Sequence, residues 1–376
     1  IFLSFLSCYF YSFYYRKINI HNIQIKLLKK LIIKKLKFFL PKFLFYHLVR
    51  YKIYLGYLNY SIYFLKSLFY KKKIEKINQD LILIGQIQRS GGTLLTQLFD
   101  NHPEIHSYPS ELILTQPKWD WTKNLEFSTI KFNVSLKLDS LKKYYIKKGQ
   151  SRPDKTTKNI FLFNPYIEKK IFKSLNKNNL RSNFDAYFTS FFNAFINYKN
   201  NKSSNKKFIT AFLPRFLMSN KNIDLFFKIY PNGKLISIIR DPKSWLMSAK
   251  KHSKSYEDTK VSLELWKNCC ENSLQIKKSY PEKLILIKFE DLIIDTRNTM
   301  KKICQKININ FDECLLIPTF NNELINSDSS FKSVSGKIDK SVLEIKDKNI
   351  YLSNNDEKIL DYYVSWYENF ISGINQ

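Results

Sequence analysis

The chain has 376 residues, 44% of them hydrophobic, so it can bury a sizeable core and is not globally disordered. Its formal net charge is +30, from 62 Lys and Arg against 32 Asp and Glu, which suits anionic partners. No basic helix-turn-helix and no aromatic stacking platform accompanies that charge, so no nucleic-acid partner is expected.

Heavy use of Ile, Lys, Asn, Tyr and Phe has the pattern of an AT-rich coding bias, and most of the lysines read as solvated surface. The same bias makes rare residues informative. Only eight arginines occur, and Arg89 and Arg240 both fall in the segments described below. Only eight glycines occur, and Gly85, Gly91 and Gly92 share a run of eight positions, where the backbone needs freedom or a ligand comes close. The five cysteines (Cys8, Cys269, Cys270, Cys304 and Cys314) form no CxxC pair, and the five histidines complete no zinc spacing. Neither a disulfide framework nor a metal site is expected, and a reducing, cytoplasmic compartment is the simpler setting.

Residues 1–78 form a segment of their own, rich in Phe, Tyr, Leu, Ile and Lys, with no acidic residue before Glu75. As a helix, Ile1–Tyr15 would span about 22 Å, short of the roughly 30 Å hydrocarbon core. No basic stretch precedes it, against a standard signal peptide. From Lys26 to Lys73 apolar and basic residues alternate at helical spacing, broken at Pro41. Two readings stand: a basic amphipathic segment making peripheral contact with an anionic membrane, or ordinary helices packed on the domain.

From residue 79 to 376 the pattern is that of one α/β domain. Leu81–Ile84 reads as a buried strand, followed by a glycine turn and an apolar helix at Leu94, Leu95, Leu98 and Phe99. Asn197–Lys207 is the best loop candidate. Lys234–Arg240 is a second strand, followed after Asp241-Pro242 by a helix around Trp245–His252. Lys283–Phe289 is a third strand, ending in Glu290-Asp291-Leu292. Strands alternating with helices imply a parallel sheet.

Two segments carry chemistry. In the first, Gly85-Gln86-Ile87-Gln88-Arg89-Ser90-Gly91-Gly92-Thr93-Leu94, a strand runs through a glycine loop into a helix, whose first N–H groups make an anion site. Ser90 and Thr93 add hydroxyls, and Arg89 adds a forked cation. A P-loop nucleoside triphosphatase would carry Lys where Gly92 stands, which disfavours ATP or GTP hydrolysis. In the second, Arg240 ends a strand and Ser248 lies eight residues on in the next helix. The two can converge on one phosphate, or Arg240 can pair with Asp241 or another carboxylate.

Together these segments resemble the sulfotransferase family. There an R-S-G-x-T core binds the 5′-phosphosulfate of 3′-phosphoadenosine 5′-phosphosulfate (PAPS), and a later R-D-P with Ser eight residues after the Arg binds the 3′-phosphate. Asp100-Asn101-His102-Pro103 and Phe289-Glu290-Asp291-Leu292 also resemble family segments. Pro318–Asn321 and Asn326–Phe331 resemble the late loop of a bacterial branch, which would place Ser330 and Phe331 over the adenosine.

The resemblance runs from about residue 80 to the C-terminus. It implies a P-loop-like three-layer fold with a central parallel sheet, to which residues 1–78 add a helical N-terminal extension. It also implies PAPS as donor, adenosine 3′,5′-bisphosphate as product, no metal, and a hydroxyl or amine acceptor on a carbohydrate, lipid or small molecule.

There are departures. Many relatives carry Thr where Gly92 stands. They also carry a Lys two residues before a Pro ahead of the R-D-P strand. Here that stretch is Thr210-Ala211-Phe212-Leu213-Pro214-Arg215, so either Arg215 substitutes or the role is absent.

Sulfuryl transfer needs cations on the charge that develops at the leaving phosphate and a base for the acceptor proton. Arg89 fits the first task. For the base the resemblance points to Glu111, with Glu104 and His106 as alternatives and a solvated surface residue as the ordinary reading of each. The rival functions are a P-loop nucleotide or small-molecule kinase and a non-catalytic nucleotide-binding protein.

Overall fold

Short Ile- and Leu-rich runs without polar alternation form strands that are covered on both faces. The structure is a computed structural model and describes residues 73–112, 164–175, 179–200, 205–325, 336–343 and 352–374. Its sheet has five strands: β1 (Asp80–Ile84), β2 (Ile105–Glu111), β3 (Phe208–Phe212), β4 (Lys234–Ile239) and β5 (Leu284–Lys288). They are all parallel, in the order β2-β3-β1-β4-β5. The amphipathic and aromatic runs expected within residues 1–72 lie outside the described residues, as do Ser330 and Phe331.

Alternation along the strands sorts the side chains into two cores. Leu81, Leu83, Ile209, Ala211 and Leu235 face one helical layer. That layer contains α2 (Pro165–Leu175), α3 (Leu180–Ala194) and α4 (Asn220–Ile229). α1 (Gly92–Phe99) belongs to the other layer, with α7 (Phe289–Ile294) and α8 (Thr296–Ile307). Ile82, Ile84, Ile236, Ile238 and Ile285 pack there against Leu95, Leu292 and Ile303. The result is a three-layer α/β fold. A third cluster, around Trp245 and Trp266, joins α5 (Pro242–His252), α6 (Thr259–Ser279) and α9 (Asn354–Ile374) beside the sheet. Among the described residues no helix is long and apolar enough to cross a membrane.

The three strands read from the sequence are present. The third is shorter than expected: it stops at Lys288, because Phe289 opens α7, with Glu290 and Asp291 in the first turn, where carboxylates favour a helix N-terminus. The sequence pattern did not mark β2 and β3 as strands. β2 reads Ile-His-Ser-Tyr-Pro-Ser-Glu, and Pro109 sits where the register slips between Ser107 and Glu111. Only an edge strand tolerates that loss of a ladder donor.

Residues 73–79 run along α3. Ile77 is 1% exposed and donates its N–H to Thr189 Oγ1 (2.9 Å). Arg181 pairs with both Asp80 and Asp185 at 3.0 Å.

The Asp100-x-His102-Pro103 segment is a structural node at the N-terminal edge of the sheet. Asp100 Oδ2 accepts from Thr319 Oγ1 (3.0 Å) and from the N–H of Asn322 (2.9 Å). These acceptances anchor the hairpin β6 (Thr319–Phe320) to β7 (Glu323–Leu324). His102 accepts from the N–H of Glu104 at Nδ1, so Nε2 carries the proton it gives to the carbonyl of Asn310 (2.9 Å). Lys206 donates to the carbonyls of His102 and Ile105 and to Asn200 Oδ1. Burial raises the Asp100 carboxyl above its ordinary pKa and lowers the Lys206 ammonium to about 8.

Asp100→Ala would leave the buried Thr319 hydroxyl and the part-buried N–H of Asn322 without their acceptor, at about 1–3 kcal/mol for the buried donor and less for the other. Urea unfolding is expected to show a loss of about 2–4 kcal/mol, with Asp100→Asn losing less. A loss below 1 kcal/mol would contradict this role.

Candidate active site

In a parallel open sheet, ligands bind beyond the carboxyl ends of the strands. The register decides which expected residues stand there. Ile84 at the end of β1 aligns with Phe212 on β3, and Phe212 with Glu111 on β2. Glu111 therefore shares an edge with the glycine loop that follows β1 and with Arg240, which follows β4. His106 aligns with Ile209 and so with Leu81, roughly 10 Å back along the sheet.

Glu104 and His106 belong to the far edge, and both are buried rather than solvated. Burial works to raise the Glu104 carboxyl. The ion pair with Lys207 (2.5 Å) and the N–H of Asn310 (2.6 Å) outweigh it and hold the pKa below the ordinary value. The His106 ring lies 5.0 Å from that of Phe192 and shares a hydrogen bond with Tyr198 Oη (3.3 Å). Burial first, and the Lys206 charge second, lower its pKa to about 3.

The loop between β1 and α1 is held open by its backbone. Arg89 takes φ 70° and Gly91 φ 96°. A Cβ added at Gly91 would lie 2.6 Å from Phe289 Cδ2, so only glycine fits. Gly91 caps α1 with no side chain, leaving the helix N-terminus to other acceptors. Ser90 is fully buried, and its Oγ has no hydrogen-bond partner. Thr93 is partly exposed on the first turn of α1, whereas the Leu94 side chain is buried in the core, so only its backbone could serve a ligand.

Arg240 meets this loop directly. Its Nη1 donates to the carbonyl of Arg89 (2.9 Å) and its Nε to Ser244 Oγ (3.0 Å), while the guanidinium lies 4.3 Å from the Phe289 ring centroid. Arg89 in turn donates from Nε to Ser248 Oγ (3.1 Å). The two segments, 151 residues apart, thus form one site. Asp241 and Pro242 do local work there: Asp241 Oδ1 accepts the N–H of Ser244 (2.8 Å) as the cap of α5, with Pro242 at the first helical position.

Arg240 does not pair with Asp241. It is 6% exposed and, among the described residues, makes no ion pair with a carboxylate. Burial, with the Arg89 charge adding to it, lowers its pKa to about 10 against the opposing pull of Glu290 and Asp241. Glu290 accepts the N–H of Asp241 (3.0 Å), and burial raises its carboxyl. A buried cation with neutral partners, beside a helix N-terminus without a side-chain cap, has the chemistry to hold an anion.

A family model described as the Sulfotransferase family matches residues 81–313. The chain belongs to the sulfotransferase family. No curated protein matches it. Among solved structures it is similar to the sulfotransferase domain from the Synechococcus PCC 7002 olefin synthase, with 16% identity, 79% of this chain and 98% of that one covered, and a TM-score of 0.46. A sulfotransferase from Alicyclobacillus acidocaldarius matches at 11% identity, 79% and 96% coverage and a TM-score of 0.40. A mouse sulfotransferase complexed with PAP matches at 12%, 77% and 84%, and 0.35.

The candidate site includes residues that the sequence alone did not single out. Ser244 and Phe289 position Arg240. Gln88 is a hub: its Oε1 accepts from Arg215 Nε (2.7 Å) and its carbonyl from Trp245 Nε1 (2.8 Å). Arg215 also donates to Tyr256 Oη (3.1 Å) and to the carbonyl of Gln86 through its own N–H (2.9 Å), so it braces the loop. The Phe289-Glu290-Asp291 segment had been singled out, and it was the available signal for Phe289. Pro318–Asn321 of the late segment belongs to the Asp100 node at the other edge of the sheet.

The buried neutral His106 sets a pH dependence. Its folded pKa lies below the ordinary 6.5, so its contribution is complete above pH 6.5 and is lost as pH falls from there towards 3. Between pH 6.5 and 4.5 the wild type is expected to lose about 2–3 kcal/mol of unfolding free energy through this group. His106→Phe should lose that much less, and equal pH profiles for the two proteins would contradict the assignment.

Proposed function

We propose that this sulfotransferase takes its sulfuryl group from PAPS and passes it to a hydroxyl or amine on a carbohydrate, lipid or small molecule. The observation that carries this reading is the direct bonding of the glycine loop to the Arg240 segment. It offers two anion positions: the helix N-terminus with Ser90 and Arg89, and the buried Arg240 guanidinium, which has no carboxylate partner among the described residues. A donor with phosphate at both the 5′ and the 3′ position uses both. A nucleoside triphosphate needs only the first.

The residues present fit the donor. Arg89, Ser90, Gly91, Gly92, Thr93 and the Leu94 backbone would hold the 5′-phosphosulfate, and Arg240 with Ser248 the 3′-phosphate. Ser330 and Phe331 remain assigned to the adenosine by resemblance alone. When bound, PAPS supplies an activated sulfuryl group whose S–O bond to the 5′-phosphate breaks as the acceptor oxygen or nitrogen bonds to sulfur. Arg89 and the loop N–H groups stabilise the negative charge that develops on the departing phosphate oxygen. Glu111, on the same sheet edge, takes the acceptor proton. Glu104 is committed to Lys207 and Asn310, and His106 to the core, so neither is retained as the base. Residues 1–78 would bring the enzyme to an anionic membrane, where a lipid or glycan acceptor lies within reach.

Adenosine 3′,5′-bisphosphate is expected to raise the melting temperature without added metal. Equal or greater stabilisation by ATP with Mg²⁺ would favour the kinase reading instead.

The base is tested separately. With an acceptor found by screening sugars, phenols and lipids against labelled donor, Glu111→Gln should lower turnover by about 10²–10⁴-fold. Bisphosphate affinity should stay unchanged. Near-normal turnover would remove Glu111 from the role.

A further inference from the structure

Gln86 is a polar residue in the glycine loop, two positions after β1. Its side chain is 1% exposed, and both Oε1 and Nε2 are buried without a hydrogen-bond partner. A buried primary amide with neither end satisfied costs free energy, and folding alone gives no reason to keep it. Its backbone does the loop's structural work, the carbonyl accepting from Arg215. The amide head is surplus to that.

Its position supplies the reason. A Cβ added at Gly92 would collide with Gln86 Nε2 and lie 2.6 Å from Phe212 Cε2. The amide therefore fills the space over the first residue of α1, where a side chain at position 92 would project. Gly92, with no side chain, makes room for the amide, and Phe212, at the end of β3, backs the arrangement. Ser90 Oγ, the other unpartnered polar atom of the loop, lies four residues on. Two orphaned hydrogen-bonding groups then serve one glycine cradle.

We propose that Gln86 is a specificity-determining residue of the donor site: its side-chain amide donates to the 5′-phosphosulfate group. This inference rests on the PAPS reading above and deepens it. It makes Gln86 and Gly92 a coupled pair, since a side chain at 92 and the amide of 86 cannot occupy the same space.

The test uses Gln86→Leu in the full chain, because Leu approximates the shape of Gln and removes the unsatisfied polar head. Melting temperature is measured without ligand. Affinity is measured for adenosine 3′,5′-bisphosphate, whose 5′-phosphate stands in for the phosphosulfate, and for adenosine 3′-monophosphate, which lacks that group. The expected result is a melting temperature equal to or above wild type, bisphosphate affinity lowered roughly tenfold or more, and unchanged 3′-monophosphate affinity. Equal weakening of both nucleotides, or a lower melting temperature with unchanged bisphosphate affinity, would show that Gln86 is a packing residue and overturn the proposal. If the wild type binds neither nucleotide, the PAPS reading itself fails, and this inference with it.

Discussion

A guanidinium taken out of water must find hydrogen-bond acceptors or a counter-charge, because desolvation of an unpaired ion is among the largest penalties in folding. Arg240 meets this condition with the carbonyl of Arg89, the hydroxyl of Ser244 and the face of Phe289, and without a carboxylate. The rest of the site follows. The bond to the Arg89 carbonyl fixes the glycine loop against the end of β4. Arg89, turned by its positive φ, reaches Ser248. Phe289 packs on Gly91, which excludes any side chain there. Each contact is modest, but together they leave positive charge and open N–H groups facing one place.

The opposite edge of the sheet has the reverse character. Its ionisable groups are buried and fully engaged: Asp100 with Thr319 and Asn322, Lys206 with three acceptors, and Glu104 with Lys207 and Asn310. These residues hold the chain after α1, the approach to β3 and the β6–β7 hairpin together. The contrast separates structure from function better than burial does. Arg240 and Asp100 are both buried, yet Asp100 has the donors it needs, whereas Arg240 makes no direct ion pair among the described residues.

The parallel sheet was legible wherever a strand was an uninterrupted apolar run, as in Leu81–Ile84 and the core of Lys234–Arg240. It was not legible in β2, where an edge strand carries His, Ser, Pro and Glu, nor in β3, a five-residue run directly after a polar loop. The two phosphate segments were legible because rare Gly and Arg residues stand out in a Lys-rich chain. Their contact was not, since a bond across 151 residues leaves no local pattern. The same limit explains why Glu104, His106 and Glu111 stood as rivals in the sequence. They lie within eight positions of one another, and only the β2–β3 register puts them on different edges. Gln86 was invisible for a further reason: an unsatisfied amide is a property of its surroundings, not of the residue.

The central claim is that the two segments form one site for a doubly phosphorylated donor, with Arg240 on the 3′-phosphate. Calorimetric titration of wild type and Arg240→Ala, each with adenosine 3′,5′-bisphosphate and with adenosine 5′-phosphosulfate, tests it most directly. Charge-assisted hydrogen bonds contribute about 1.5–3 kcal/mol, so the bisphosphate should weaken by roughly ten- to a hundredfold in the variant. Adenosine 5′-phosphosulfate, which lacks the 3′-phosphate, should weaken far less, by no more than the loosened loop costs it. Equal losses for both nucleotides would show that Arg240 merely holds the loop in shape, and would contradict the account.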